Sequence, residues 1–228
     1  MKEIFLSTRI SKVLSSSEAA IREQLDKLFE IVSELSTIDP IFEKWYINNP
    51  VGSKPPYDYP VPSEKARNYL FDLRKNNINE IFLLWNGSIE EENFAGISFS
   101  RVGLILDFQK ILNTNQMIKL FEVILKFPTY DYVYLNTFFC GRINIYPHRL
   151  VTTAICYVPT KIDDNYLPHL YKKVEVDNQY NKGTILVFDE NWADETDELK
   201  KIVQENSIAL IELDVIPEAG LPDGFLNE

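Results

Sequence analysis

The chain has few of the residues from which catalytic and metal sites are usually built: two histidines, two cysteines and eight glycines among 228 residues. His148 and His169 lie far apart, and neither has a Cys-x-x-Cys beside it, so the sequence contains no recognisable metal-ligand spacing. The glycines form neither a phosphate-binding loop nor a dinucleotide fingerprint. We interpret Cys140 and Cys156 as reduced thiols in the core. The sequence therefore predicts no metal and no cofactor.

Long apolar runs are also missing. No stretch approaches the roughly 18 apolar residues that a membrane span requires. The N-terminal segment "MKEIFLSTRISKVLSSS" has an apolar patch that is too short and too polar for the core of a secretory leader. These absences predict a soluble cytoplasmic protein without a membrane partner.

Acidic residues dominate one end of the chain. The net charge is −11, from 23 basic and 34 acidic side chains, and residues 187–228 alone hold 12 acidic and 2 basic ones. Binding to phosphates requires clustered Lys and Arg, so we predict no direct contact with nucleic acid. A basic protein partner fits this charge much better, because opposite charge steers association.

Three acidic runs are the candidate partner-binding residues. They are Glu90, Glu91 and Glu92; Asp163 and Asp164; and Asp189, Glu190, Asp194, Glu195, Asp197 and Glu198. The alternative is that each run simply faces solvent, and that acids at a helix start complement the helix dipole.

The apolar pattern predicts an α+β fold with a mixed, mainly antiparallel sheet flanked by helices. We predict one domain over residues 1–228, with a short acidic tail from about residue 214. A capping box at Ser15 and Glu18 predicts a helix over 16–37.

Further elements follow from local signals. Asp39-Pro40 predicts a short helix over "DPIFEKWY", because Asp is a good N-cap and Pro suits the first helical position. Two more helices are predicted, over 114–127 and about 194–206, and a meander of three strands over 80–85, 94–100 and 102–108. We expect Trp45 and Trp85 to be largely buried, because large aromatic side chains usually anchor a core.

The order of the aromatic and glycine landmarks resembles the immunity protein 52 family of bacterial polymorphic toxin systems. The resemblance covers about residues 1–213 and is weakest over 47–80, where this chain is rich in Pro and Asn. Its motifs are a Pro-x-x-x-x-Trp-Tyr segment, a Trp-Asn-Gly and a glycine that opens a strand, turn and helix near the C-terminus. The matching residues are Pro40, Trp45, Tyr46, Trp85, Asn86, Gly87 and Gly183.

The resemblance implies a protein without enzymatic activity that binds and neutralises a cognate toxin domain. In that family the toxins are often nucleases, including restriction-endonuclease-like domains. We treat the matching residues as landmarks of the fold alone. A nuclease presents positive charge to phosphates, so the acidic runs would compete for the same surface.

Two other functions stay open from the sequence. The first is a small hydrolase-like enzyme whose site is assembled from scattered Asp, Glu and His residues, which a concave pocket joining a histidine to carboxylates would favour. The second is an adaptor with a partner other than a toxin. Cys140, His148 and His169 are predicted to be structural or surface residues, and the sequence does not predict an oligomeric state.

Overall fold

The computed structural model describes residues 3–48 and 59–220. Ten strands of this part of the chain form one sheet: β1 (Ile4–Ile10), β2 (Trp45–Ile47), β3 (Pro60–Val61), β4 (Phe82–Trp85), β5 (Ala95–Phe99), β6 (Leu104–Phe108), β7 (Tyr130–Asn136), β8 (Ile155–Val158), β9 (Lys172–Asp177) and β10 (Lys182–Val187). The order across the sheet is β3-β2-β4-β5-β6-β1-β7-β8-β10-β9. The α+β prediction is confirmed. All nine pairings between these strands are antiparallel, so the sheet lacks the parallel pair that a mixed sheet would contain.

Five α-helices accompany the sheet: α1 (Glu18–Leu35), α2 (Glu64–Asn76), α3 (Thr114–Ile124), α4 (Phe138–Ile143) and α5 (Asp197–Glu212). Short 3₁₀ turns span Pro40–Phe42, Glu91–Asn93 and Asp164–Tyr166. Within the described ranges, no helix combines the length and the apolar character needed to cross a membrane.

Helix α1 begins slightly later than predicted. Its N-cap is Ser17 rather than Ser15, and the Ser17 hydroxyl accepts a hydrogen bond from the backbone amide of Ala20 at 3.3 Å. Ser15 instead accepts from the Ser17 amide at 3.3 Å, one step before the helix. The apolar residues of α1 recur at helical spacing, so they form one face that packs on the sheet and is buried: Ile21, Leu25, Leu28, Phe29, Val32 and Leu35.

The short helix predicted over 39–46 is wrong in its second half. Asp39 caps a turn as predicted, accepting from the Ile41 amide at 3.1 Å, but the turn ends at Phe42. Trp45 then begins β2, which pairs with both β3 and β4. Trp45 is 2% exposed, so its predicted burial is confirmed. Pairing with distant strands overrides the local helical signal here.

The Trp-Tyr and Trp-Asn-Gly landmarks meet in the sheet. Tyr46 lies opposite Trp85 in the pairing of β2 with β4, and the Tyr46 ring packs on Gly87, which has a φ of +81°. Glycine is favoured in this left-handed conformation, which closes the turn after β4. The Asn86 side chain donates to the carbonyls of Ile41 at 3.0 Å and Asn93 at 2.6 Å. These landmarks therefore connect the turn after β4 to the 3₁₀ turn before β2 and to the end of the β4–β5 connection.

The two sides of the sheet are covered unequally. One side packs against α1, α2 and α3 and holds the larger core, to which Leu6 and Leu106 belong. On the other side, Cys156 and Leu186 share a second core with Leu210 of α5. Over β4, β5, β6 and β1 this second side is only partly covered by the described residues. We call it the open half-face; it carries Phe5, Ser7, Leu83, Trp85, Ser98, Ile105 and Asp107.

Trp85 is partly buried, and alternation along β4 directs its side chain to the open half-face. Two differences from the sequence-based prediction concern the C-terminal half. Helix α4 was not predicted, although Thr137 caps it by accepting from the Cys140 amide at 3.3 Å. Helix α5 runs to Glu212, beyond the predicted end near residue 206, because the following apolar segment continues it.

Candidate functional site

The longest acidic run is held firmly by a buried tryptophan. The run connects β10 to α5, and Trp192 in its middle is only 5% exposed and belongs to the larger core. On either side, the Asp189 carboxylate accepts from the Asn191 amide at 2.6 Å, and the Asp194 amide donates to the Asn191 carbonyl at 2.9 Å. The carboxylates of this run therefore project from a fixed backbone.

This run forms one wall of a cleft of about 450 Å³, which we call the acidic cleft; residues 111–115, 171–172 and 190–194 line it. Two large side chains are exposed there, Ile111 at 55% and Tyr171 at 49%. The walls are joined by polar contacts. Thr114 donates to the Glu190 carbonyl at 3.2 Å, and Lys172 donates to the Asn115 side chain at 3.0 Å.

Tyr171 stands between the acidic cleft and a shallower one of about 520 Å³ that His169, Asp189 and Glu190 help to line. A hydrogen bond with Glu190 raises the pKa of the Tyr171 hydroxyl, so the tyrosine stays neutral and donates to the carboxylate. Exposed apolar side chains and carboxylates therefore lie next to one another at this end of the sheet.

His169, which lines this second cleft, is paired with a carboxylate of α5 that does not line it. Its Nε2 lies 2.5 Å from the Glu205 carboxylate of α5, and this hydrogen bond lowers the pKa of Glu205. The backbone of His169 is fixed by Asn206, which accepts from its amide at 3.2 Å and donates to its carbonyl at 2.9 Å. The second cleft itself joins His169 to Asp189 and Glu190, which is the arrangement that the enzyme hypothesis calls for.

Several of the predicted acidic residues have local roles. Asp163 accepts from the Asn165 amide at 3.0 Å, and Asp164 forms an ion pair with Lys173 of β9. Glu195 lies 3.3 Å from Arg142 of α4. Asp197 and Glu198 occupy the first turn of α5, where they complement the helix dipole. Glu190 and Asp194 are the predicted acids that line the acidic cleft.

The first acidic run is not part of the acidic cleft. Glu90, Glu91 and Glu92 are exposed in the connection between β4 and β5. This connection leaves the same end of the sheet as the run after β10, but six strand spacings separate β4 from β10. At about 4.8 Å per spacing, that is roughly 29 Å, and strand twist of about 20–25° per step turns the two runs in different directions. This separation could not be predicted from the sequence.

Both cysteines are buried, and burial suppresses the ionisation of their thiols. Burial raises the pKa of the Cys140 thiol, and it raises that of the Cys156 thiol to about 12, so both are protonated at neutral pH. The predicted burial of both cysteines is confirmed. His148 packs edge-on against Tyr146, with 6.2 Å between ring centres. Across residues 3–48 and 59–220, no three His, Cys, Asp or Glu side chains are grouped so as to hold a metal ion.

Sequence reasoning missed the apolar half of the site. Ile111 and Tyr171 flank strands that are distant in sequence, and only the sheet order brings them beside the acidic run. One signal was available, since a tryptophan within a run of six acids is a residue that must be buried somewhere. That signal identifies Trp192 as the anchor of the run.

The chain matches no protein-family model and no curated protein sequence. The resemblance to the immunity protein 52 family rests on the motifs quoted above and stays a prediction.

Proposed function

We propose that the protein is an immunity protein, which binds a basic, nuclease-type toxin domain and covers its substrate-binding surface. The observation that supports this proposal is the acidic cleft. It combines a rigid acidic run, anchored by Trp192, with the exposed side chains of Ile111 and Tyr171.

The two components of the cleft have different roles in binding. Apolar and aromatic side chains that become desolvated at the centre of an interface usually carry most of the affinity, and tyrosine is prominent among them. Charges at the rim act mainly on the rate of association and on its salt dependence. Tyr171 and Ile111 are therefore the anchors, and Glu190 and Asp194 steer a basic partner towards them.

A pair of charge reversals tests the steering role. The partner to use is a toxin domain encoded beside this chain's gene, which the proposal predicts to exist. Glu190→Lys with Asp194→Lys changes the charge by four units at the cleft. The matched control, Glu43→Lys with Asp72→Lys, makes the same change at two exposed residues near β2 and on α2. We expect the cleft variant, but not the control variant, to associate more slowly than wild type. This difference in association rate should become smaller as the salt concentration rises, because charges are screened beyond about 8–10 Å near physiological salt.

Truncation tests the anchors. Tyr171→Ala should speed dissociation of the complex by a factor that corresponds to about 2 kcal/mol or more, while circular dichroism stays unchanged. Equal rates for wild type, the cleft reversal and Tyr171→Ala would show that the toxin binds elsewhere. Failure of the neighbouring toxin domain to bind the wild-type chain at all would refute the proposed function.

A second candidate function is favoured by the pairing of His169 with Glu205, which could serve as an oriented general base. Under the immunity proposal, His169→Ala should leave both binding and protection of cells intact, as should His148→Ala and Cys140→Ala. If the folded His169→Ala variant still binds the toxin but no longer neutralises it, the result would support the enzyme hypothesis and contradict neutralisation by binding alone.

A further inference from the structure

The sheet ends on one side in a long, regular edge strand. Among the described residues, β9 pairs only with β10, whereas the opposite edge of the sheet is the two-residue strand β3, which contains Pro60. Short length, proline and bulges commonly protect sheet edges from pairing with other chains. The six residues of β9 include no proline, and their register with β10 is unbroken. This strand therefore presents an uninterrupted edge to a further strand.

The direction of the backbone groups in β9 follows from the hairpin that joins it to β10. The Asn178 amide donates to the Asn181 carbonyl at 3.0 Å. Hydrogen-bonded pairs alternate with non-bonded pairs along an antiparallel ladder, so Val174 is in a hydrogen-bonded pair with β10. The amides and carbonyls of Lys173 and Glu175 consequently point away from β10, to the side on which the described sheet has no further strand. We call the outward backbone groups and the side chains of these two residues the β9 edge.

The side chains of the β9 edge carry opposite charges on one side of the sheet, because residues two apart in a strand point the same way. Lys173 forms an ion pair with Asp164, and Lys161 Nζ lies 2.8 Å from the Glu175 carboxylate. Val174 points to the other side, where it packs partly buried against the larger core. The strand thus separates a charged side from an apolar side.

We propose that the β9 edge binds the β9 edge of a second copy of this chain, so that the two sheets join into one. Two identical antiparallel strands are related by a two-fold axis perpendicular to the sheet, so residues opposite each other lie on the same side. In the proposed register Val174 lies opposite Val174 of the second copy. Lys173 of each copy lies opposite Glu175 of the other, and their outward amides and carbonyls bond to one another.

Charge complementarity is the reason that a second copy fits this edge. The proposed register creates two identical rows of alternating charge across the junction: Asp164, Lys173, then Glu175 and Lys161 of the second copy. Opposite charges directly across a strand pair are favourable, and like charges are unfavourable. The next register that keeps the two sides matched would place Glu175 opposite its own copy, which disfavours it. The strand is therefore complementary to itself in one register.

The pairing also changes the acidic cleft. Tyr171 lines that cleft and immediately precedes β9. In the proposed register Asp177 of the second copy lies opposite Tyr171, so the second copy adds a carboxylate beside the cleft. The pairing itself does not depend on the proposed immunity function.

Sedimentation velocity of the full chain over a range of concentrations tests the proposal. We expect a weak, reversible dimer, because two short strands form a small interface. Lys173→Glu and Glu175→Lys, each made alone, place like charges opposite each other twice and should raise the dissociation constant by about tenfold or more. An equimolar mixture of these two variants should associate more tightly than either variant alone, because each chain then faces the opposite charge.

Glu175→Pro tests the backbone contacts. It removes an outward amide at an edge, where proline is tolerated, and leaves the hydrogen bonds to β10 intact. This variant should also weaken the dimer by about tenfold or more, while urea unfolding stays close to wild type.

The matched controls are Glu43→Lys and Lys44→Glu, which make the same charge changes at two exposed residues beside β2. Neither control variant, nor their mixture, should alter the association. A wild-type chain that stays monomeric at about 1 mM would refute the proposal. So would unchanged association of Glu175→Pro, or a mixture of the two charge variants that associates no more tightly than each alone. None of these measurements involves a toxin, so failure of the dimer and failure of the immunity proposal are separable.

Discussion

The most informative test of the fold is Arg74, a fully buried arginine of α2 whose hydrogen bonds go to carbonyl oxygens. Its guanidinium donates to Gln24 Oε1 at 2.8 Å, to the Phe99 carbonyl at 2.7 Å and twice to the Glu80 carbonyl, at 3.1 and 2.9 Å. It also stacks 3.5 Å from the centre of the Phe82 ring. Burial, together with repulsion from Arg101, lowers the pKa of Arg74 to about 9, so it remains mainly charged at pH 7.

The cost of Arg74→Met follows from these contacts. Three acceptors would be left without their donor, at about 1–3 kcal/mol each. Removing a buried charge returns several kcal/mol of desolvation free energy. The difference predicts a net loss of about 2–5 kcal/mol in the free energy of unfolding. Arg74→Lys should also destabilise, because an ammonium group cannot reproduce the planar set of donors.

Urea unfolding of the two variants measures this loss, and a double-mutant cycle assigns it. Gln24→Leu removes one of the acceptors, so its effect combined with Arg74→Met should be smaller than the sum of the two single effects. An Arg74→Met variant within about 1 kcal/mol of wild type would refute the reasoning that these hydrogen bonds stabilise the junction of α1, α2 and β5.

Two further predictions concern stability. Gly183→Ala should destabilise by about 1–3 kcal/mol in urea unfolding, because the new Cβ would lie 2.1 Å from the Val158 carbonyl oxygen; Gly141→Ala, with nothing within 4 Å, is its control and should be neutral or stabilising. Asp107→Asn should be more stable than wild type at pH 7. Burial raises the pKa of Asp107 above its unfolded value near 3.8. The free energy of unfolding of the wild type therefore falls as pH rises from that value through the folded pKa. The difference in free energy of unfolding between Asp107→Asn and wild type should become smaller near pH 4. An Asp107→Asn variant that is less stable than wild type at pH 7 would contradict this reasoning.

Elements with strong local signals could be predicted from the sequence. The buried face of α1 follows directly from its apolar spacing, and Met117, Leu120 and Phe121 of α3 are buried as that helix's pattern predicts. The meander of β4, β5 and β6 has short apolar strands and turn residues between them. In each case the information lies within about twenty residues, which is the range over which periodicity is informative.

Elements that depend on distant partners could not be predicted. Trp45 lies in a strand because β3 and β4 pair with it. The residues of "DPIFEKWY" do not indicate those partner strands. The candidate site shows the same limit. The acids Glu190 and Asp194 were identified from composition, whereas Tyr171 reaches them only through the pairing of β9 with β10. Charge is visible in a sequence, but the apolar side chains that would give affinity are not distinguishable from core residues.

Arg74 is a buried charge of α2 that the fold itself satisfies. It lies near the end of the sheet where β5 finishes, and each of its three acceptors is provided by the chain. The acidic cleft and the acidic run after β4 lie at the opposite end, where β5 begins. Under the proposed function, recognition takes place at that opposite end, so substitutions of Arg74 should change stability without removing a contact to the partner.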